Sequence, residues 1–291
     1  MSGSLRNKGE TMEKKEIRPV AQDKALAVLT EFLRCPLYDG SEVLQRFRTL
    51  PNAQYFEGTA PMERYVYIPG ARKDRVLLLA HADTVWDENY LHTRSKTIPI
   101  FDENRIKGSN EEVGLGADDR AGCALLWLLK DSGHSLLIFD GEEHGHLGAK
   151  LLRKTNKRLL REFNRHRYMI SLDLQGKDCC HYHGILNSRA FCKYIEEQFS
   201  PKVLSFKGGT DVSYVARGAC GVNLSIGYHK QHSAAEYMSI PVWYESYVRL
   251  CNVLSHKQPR FRTQRLKRMK NKLSALPRRA YRKLKRVLHI R

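Results

Sequence analysis

The chain has 291 residues, enough for one large domain or two small ones, and its 42% apolar content argues against wholesale disorder. Its net charge of +19 is unevenly spread: residues 257–291 hold fifteen Lys or Arg and no Asp or Glu, which leaves +4 for residues 1–256. The seven scattered cysteines suit a reducing compartment better than a disulfide framework. Residues 1–19 lack the apolar core of a signal peptide, and no run approaches the roughly 20 apolar residues that span a bilayer, so a cytoplasmic protein is expected.

Residues 1–20 read as a flexible arm, residues 21–256 as the folded body and residues 257–291 as a basic appendage. "DKALAVLTEFLRC" (23–35) has helical spacing, with Ala25, Leu29 and Phe32 or Leu33 on one face. "RYVYIPG" (64–70) and "DRVLLLAHAD" (74–83) read as a pair of strands, the second a continuous apolar run suited to a sheet covered on both faces. "DDRAGCALLWLLKD" (118–131) reads as a helix whose opening acids favour its N-terminal dipole. "SLLIFDGEE" (135–143) is a buried strand, "GHLGAKLLRKT" (145–155) a helix and "YMISLDLQG" (168–176) another strand. "SRAFCKYIEEQF" (188–199) is an amphipathic helix, "GVNLSIGYH" (221–229) the last strand and residues 239–254 the last helix. Alternation of strands and helices predicts an α/β fold with a mostly parallel, mixed central sheet and helices on both faces.

Three of these strands end in groups that resist burial: His81 and Asp83, Glu142 and Glu143, and Asp173. "GLGADDRAG" adds Asp118 and Asp119 in a Gly-rich turn, and "HKQHSAAE" follows the last strand. In open α/β sheets, ligand sites gather beyond the carboxyl ends of strands. Carboxylates clustered there repel one another without positive charge, which two divalent cations supply; a mixed His, Asp and Glu set suits zinc, with cobalt or manganese as alternatives.

The ordered series H-x-D, G-A-D-D-x-x-G, G-E-E, a strand-end Asp, G-G-T-D and H-S-x-x-E, running from about residue 76 to 240, resembles the co-catalytic zinc exopeptidases. That clan includes tripeptidase T, carboxypeptidase G-like enzymes, zinc aminopeptidases and related deacylases; "GGTDVSYVARGACGVNLSIGYHKQHSAAEYMSI" most resembles the aminopeptidase branch. The resemblance implies that His81 and Asp173 hold one zinc, Glu143 and His232 the other, and that Asp118 bridges both. It implies that Asp83 orients the His81 ring and that Glu142 is the general base. Asp211 in "GGTD" resembles a position near the substrate pocket. Only 59 residues separate Asp173 from His232 and 37 separate His81 from Asp118, too few for the inserted domains of many relatives, so a single catalytic domain without a lid is expected.

Alternatives stand beside these assignments. Asp119 competes for the bridge, or does no more than cap a helix. His229 competes with His232, which is preferred because an acid lies four residues on. "CCHYHG" (179–184) lacks the paired spacing of a structural zinc module and is read as a strand or hairpin, and His134, His144 and His146 as solvated. The tail spaces Leu266, Met269, Leu273 and Leu276, then Tyr281, Leu284 and Leu288, as two basic amphipathic helices; they either pack on the body or bind a polyanion such as nucleic acid or an acidic membrane. The expected activity is amide hydrolysis at the amino end of a short peptide. A deacylase or carboxypeptidase of N-acyl amino acids or peptides, and a non-catalytic polyanion-binding protein, are the alternatives.

Overall fold

The computed structural model describes residues 16–86, 97–205 and 208–264. Residues 1–15 of the expected arm and 265–291 of the expected tail lie outside them.

Helix α1 (Gln22–Leu33) buries Ala25, Leu29, Phe32 and Leu33, the face its spacing predicts, and α2 (Ser41–Arg48) buries Val43, Leu44 and Phe47. Strands β1 (Gln54–Glu57), β2 (Arg64–Ile68) and β3 (Leu77–His81) follow, then a hairpin of β4 (Pro99–Asp102) and β5 (Arg105–Gly108). Next come α3 (Ala117–Leu128), β6 (Ser135–Phe139), α4 (Leu147–Thr155), α5 (Lys157–Phe163), β7 (Met169–Leu174) and β8 (Cys179–His181). The remainder is α6 (Arg189–Phe199), β9 (Lys202–Val203), α7 (Asp211–Val215), β10 (Gly221–Ser225), β11 (Tyr228–His229), β12 (Tyr237–Ser239) and α8 (Ile240–Ser255).

The main sheet runs β1-β2-β6-β3-β7-β10-β8-β9. Its centre, β6-β3-β7-β10, is parallel, while β2 and β8 join antiparallel at its two sides. β2 and β3, read as a pair, are therefore not neighbours: the crossover through α3 brings β6 between them, since parallel strands need a long connection. Along β3 the side chains alternate between two cores. Leu78 and Ala80 pack with α1, α3 and α8, and Leu77 and Leu79 with α4, α5 and α7, which is why the strand reads as an unbroken apolar run. A smaller sheet, β11-β12-β5-β4, fixes both ends of the loop that carries His232.

The body extends past residue 256. Gln258 is buried, accepting from Tyr194 Oη (3.2 Å) and from Tyr168 Oη, while the Phe261 ring lies 5.2 Å from Phe191 and 5.3 Å from Tyr194. At the other end, the Ile17 amide donates to Ser255 Oγ (2.9 Å). All seven cysteines are free, and Cys179 and Cys180 lie in β8, the strand expected there. Among the described residues, no helix is long and apolar enough to cross a membrane.

Candidate metal centre

Parallel strands bring their carboxyl ends to one edge, and the predicted residues collect there. His81 ends β3, Asp173 lies near the end of the adjacent β7, and Glu142 and Glu143 follow β6. Asp118 sits in the first turn of α3, and His232 projects from the loop between β11 and β12. His81 Nε2 lies 3.4 Å from Asp118 Oδ1 and 3.3 Å from Asp173 Oδ1. The other oxygen of Asp118 lies 3.2 Å from His232 Nε2, which also meets Glu143 Oε1 at 2.7 Å. One carboxylate thus faces two imidazoles, and each imidazole has a second carboxylate beside it. His229 points elsewhere, its ring stacked 4.8 Å from that of Tyr237.

Supporting groups hold these side chains. Asp83, fully buried, sets Oδ1 3.4 Å from His81 Nδ1 and accepts the Glu143 amide at Oδ2 (3.0 Å). Asp173 Oδ2 accepts from Thr210 Oγ1 (2.7 Å) and its Oδ1 from Tyr228 Oη (3.2 Å). Glu236, the acid four residues after His232, is buried and accepts the backbone N–H groups of Gly116 (2.6 Å) and Asp118 (3.0 Å), pinning the turn that presents Asp118.

A cation fits this donor set. Asp118 Oδ1 is buried without a hydrogen bond while it points at an imidazole nitrogen, and a buried carboxylate oxygen of this kind calls for a positively charged partner. Ligand atoms of His81, Asp118 and Glu143 all lie within 4.8 Å of one another, as do those of His81, Asp119 and Asp173. Asp119 spends Oδ1 on the Gly122 amide (3.1 Å) and, unlike Asp118, makes no described contact with His232.

The charges report the same need. Burial first, with the Asp118 charge adding, pushes Glu143 up to about 6. Burial drives Asp119 well above the carboxylate range, with Asp173 and Asp118 adding to the rise. Contacts with Asp118 and Glu143 raise His232 to about 10. For Asp83, burial opposes ionisation but is outweighed by His81 and the amides of Glu142 and Glu143, which hold the carboxyl below its usual value. Metal binding displaces protons from such ligands, so a cluster that binds protons this strongly is one a cation relieves.

The fold has relatives among solved structures. It matches aminopeptidase PepT from Bacillus cereus ATCC 10987 at 15% identity, covering 81% of this chain and 98% of that one, with a TM-score of 0.57. A Staphylococcus aureus tripeptidase matches at 13% identity, 82% and 100% coverage and TM-score 0.56. An aminopeptidase from the archaeon Desulfurococcus kamchatkensis matches at 11%, 82% and 96%, and 0.54. The chain has the fold of these peptidases. No protein-family model matches the sequence, and no curated protein matches it.

Within this peptidase fold, two histidines depart from the expectation that they are solvated. His134 is buried: Nδ1 accepts the Val76 amide (3.0 Å) and Nε2 reaches the Leu254 carbonyl (3.0 Å), tying the start of β3 to the end of α8. His146 lies between Glu142 and Asp211, its Nδ1 3.2 Å from Glu142 Oε1 and 3.3 Å from Asp211 Oδ1. Burial lowers its basicity, but the two carboxylates outweigh that and raise it to about 10. Glu142 itself is pushed up to about 8, by burial first, with Asp173 and Asp211 adding. Asp211, buried at the start of α7, thus meets the site through His146. The four-residue spacing of Glu142 and His146 was legible in "GEEHGH"; that Asp211 closes the set was not.

Proposed function

We propose that this protein is a zinc-dependent amide hydrolase, an exopeptidase acting at the amino end of short peptides, with two zinc ions held by His81, Asp118, Glu143, Asp173 and His232. The observation that carries the reading is Asp118, whose two oxygens face His81 and His232 at 3.4 and 3.2 Å. Cobalt or manganese suits the same donors. When bound, the metals supply positive charge that acidifies water and polarises a carbonyl.

The chain's own residues do the rest. Glu142 takes the proton of the attacking water on its carboxylate and returns it to the leaving amine, the paired roles of a general base and acid. His146 Nδ1 stands 3.2 Å from that carboxyl and is itself met by Asp211 at 3.3 Å. Asp83 sets the His81 ring, and Glu236 sets the backbone of Asp118.

The test is metal analysis of the purified protein together with a panel of free-amine, N-acylated and carboxyl-blocked peptides. Bound zinc with hydrolysis of free-amine peptides is expected. Cleavage of N-acyl amino acids alone assigns the deacylase instead, and a protein that neither retains metal nor cleaves any member overturns the reading.

A further inference from the structure

The positive charge of the body is concentrated in one segment. Residues 150–167, which run from α4 through α5, hold eight Lys or Arg and one acid, Glu162, so they are net +7 within a body that is only +4. The two helices bury Leu151, Leu152, Leu159 and Phe163 against the sheet, which turns the polar stripe outward. Arg153, Lys154, Lys157, Arg158, Arg161 and Arg165 are exposed there, while Glu162 accepts from Tyr67 Oη (3.1 Å).

Two cavities indent this face. One, of about 910 Å³, opens between α4, α5, α7 and the segment after β8 and is lined in part by Arg153 and Lys157. The other, of about 580 Å³, is lined in part by Arg260 and Arg262. They share Ala219 and Thr263, which makes them one groove, and neither lining contains an Asp or Glu among the described residues. Its floor is fixed: Asn164 Oδ1 accepts the Ala219 amide (3.0 Å), and Asn164 Nδ2 donates to the carbonyls of Leu160 (2.7 Å) and Val215 (2.9 Å), clamping the end of α5 to the turn after α7. The Gln264 amide donates to the carbonyl of Leu186 (2.9 Å), a residue of the lining, so residues 265–291, with twelve Lys or Arg and no acid, begin at the groove's wall.

Shape chooses among the polyanions. Binding to a bilayer surface needs apolar side chains that enter the headgroup region. Val20, Ile98, Ile100, Phe101 and Val203, the exposed large apolar residues among those described, lie outside the groove's lining. A concave basic track suits a flexible strand whose phosphates follow the cations. The two volumes fall within the roughly 300–1,000 Å³ of small-ligand sites, room for unpaired bases rather than a duplex. Arg153 is held 5.6 Å over the Tyr214 ring, and a guanidinium so placed is a plane on which a base stacks.

We propose that this groove binds single-stranded nucleic acid, with phosphates along Arg153, Lys157, Arg260 and Arg262 and the strand continuing over residues 265–291. The binding is independent of the exopeptidase reading.

The test uses the full chain with labelled oligouridylate and oligothymidylate of about 20 nucleotides, longer than a typical single-strand site, read by fluorescence anisotropy across a salt series. Replacing all four cations (Arg153→Gln, Lys157→Gln, Arg260→Gln and Arg262→Gln) removes about four phosphate contacts. The slope of log affinity against log salt should fall by about 3, and affinity at about 0.1 M salt by on the order of 10²-fold. Lys at the three arginine positions should keep most of the slope. Gln at Lys24, Lys73, Lys193 and Lys202, none of which lines the groove, removes the same charge and should change affinity by no more than about threefold, because salt screens distant charges. Equal binding of the two oligomers assigns the phosphate backbone they share, and preference for the RNA adds a reading of its 2′-hydroxyls. A groove variant with the wild-type slope, an off-groove variant that loses as much, or tighter binding of a duplex of the same length overturns the proposal. Unchanged oligonucleotide binding with lost binding to phosphatidylserine vesicles assigns the groove to a membrane surface and overturns it as well.

Discussion

Asp83 makes contact with two of the proposed metal ligands at once, and its replacement separates metal affinity from folding. Its Oδ1 faces His81 Nδ1 at 3.4 Å and its Oδ2 accepts the Glu143 amide at 3.0 Å, with the carboxyl fully buried. In Asp83→Asn one oxygen becomes an NH2 donor that must face either an imidazole N–H or a backbone N–H. Loss of such a ligand-orienting partner costs about 10–100-fold in metal affinity, or roughly 1.4–2.8 kcal/mol. Asp83→Ala leaves the Glu143 amide without its acceptor and removes the carboxylate facing His81, so the metal-free protein should itself lose roughly 1–3 kcal/mol. That is a sizeable share of a typical stability of about 5–15 kcal/mol. Because the folded carboxyl titrates below its ordinary 3.8, its contribution is present above that value and lost only as pH falls through the folded pKa; measurement at pH 7 captures it whole. Zinc affinity by chelator competition and urea unfolding of the metal-free protein should rank wild type above Asn above Ala. An Asn variant that binds zinc within about twofold of wild type would refute the orienting role.

Glu142→Gln should lose on the order of 10²–10⁴-fold in turnover while retaining wild-type metal content, measured on one sample. Asp118→Ala should lose metal and stability together; if Asp119→Ala loses the metal and Asp118→Ala keeps it, the bridge is one residue later. His134, held neutral by burial, has its pKa lowered from 6.5 to about 4, so the unfolded state binds the extra proton and stability falls as pH drops from 6.5 to 4, by about 3 kcal/mol in full. The stability gap between wild type and His134→Gln in urea should therefore narrow over that range, and a constant gap rejects the assignment. Deleting residues 265–291, which carry twelve Lys or Arg, should leave hydrolysis of a neutral peptide intact and abolish salt-sensitive binding to RNA or acidic vesicles; equal RNA and vesicle binding with and without the segment rejects a polyanion role for it.

Local chemistry made much of this molecule legible along the chain. The runs that became β3, β6 and β7 are continuous because helices cover both sheet faces, and the α1 stripe of Ala25, Leu29, Phe32 and Leu33 is the one buried. The strand-end acids and histidines stood out because burying them is unfavourable without a partner, so their positions carried the site. Strands β1, β4, β5, β9, β11 and β12, with two to four residues each, had too few positions for a period to show. Placing β6 between β2 and β3 depended on crossover length, and preferring His232 to His229 geometrically depended on a loop held by the small sheet. His134, His146 and Glu236 owe their roles to partners up to 120 residues away, such as Leu254 and Gly116. Sequence by itself determined which groups needed compensation, because hydrophobicity and charge are properties of each residue; only the tertiary structure decided which groups compensate one another, because that is a matter of distance.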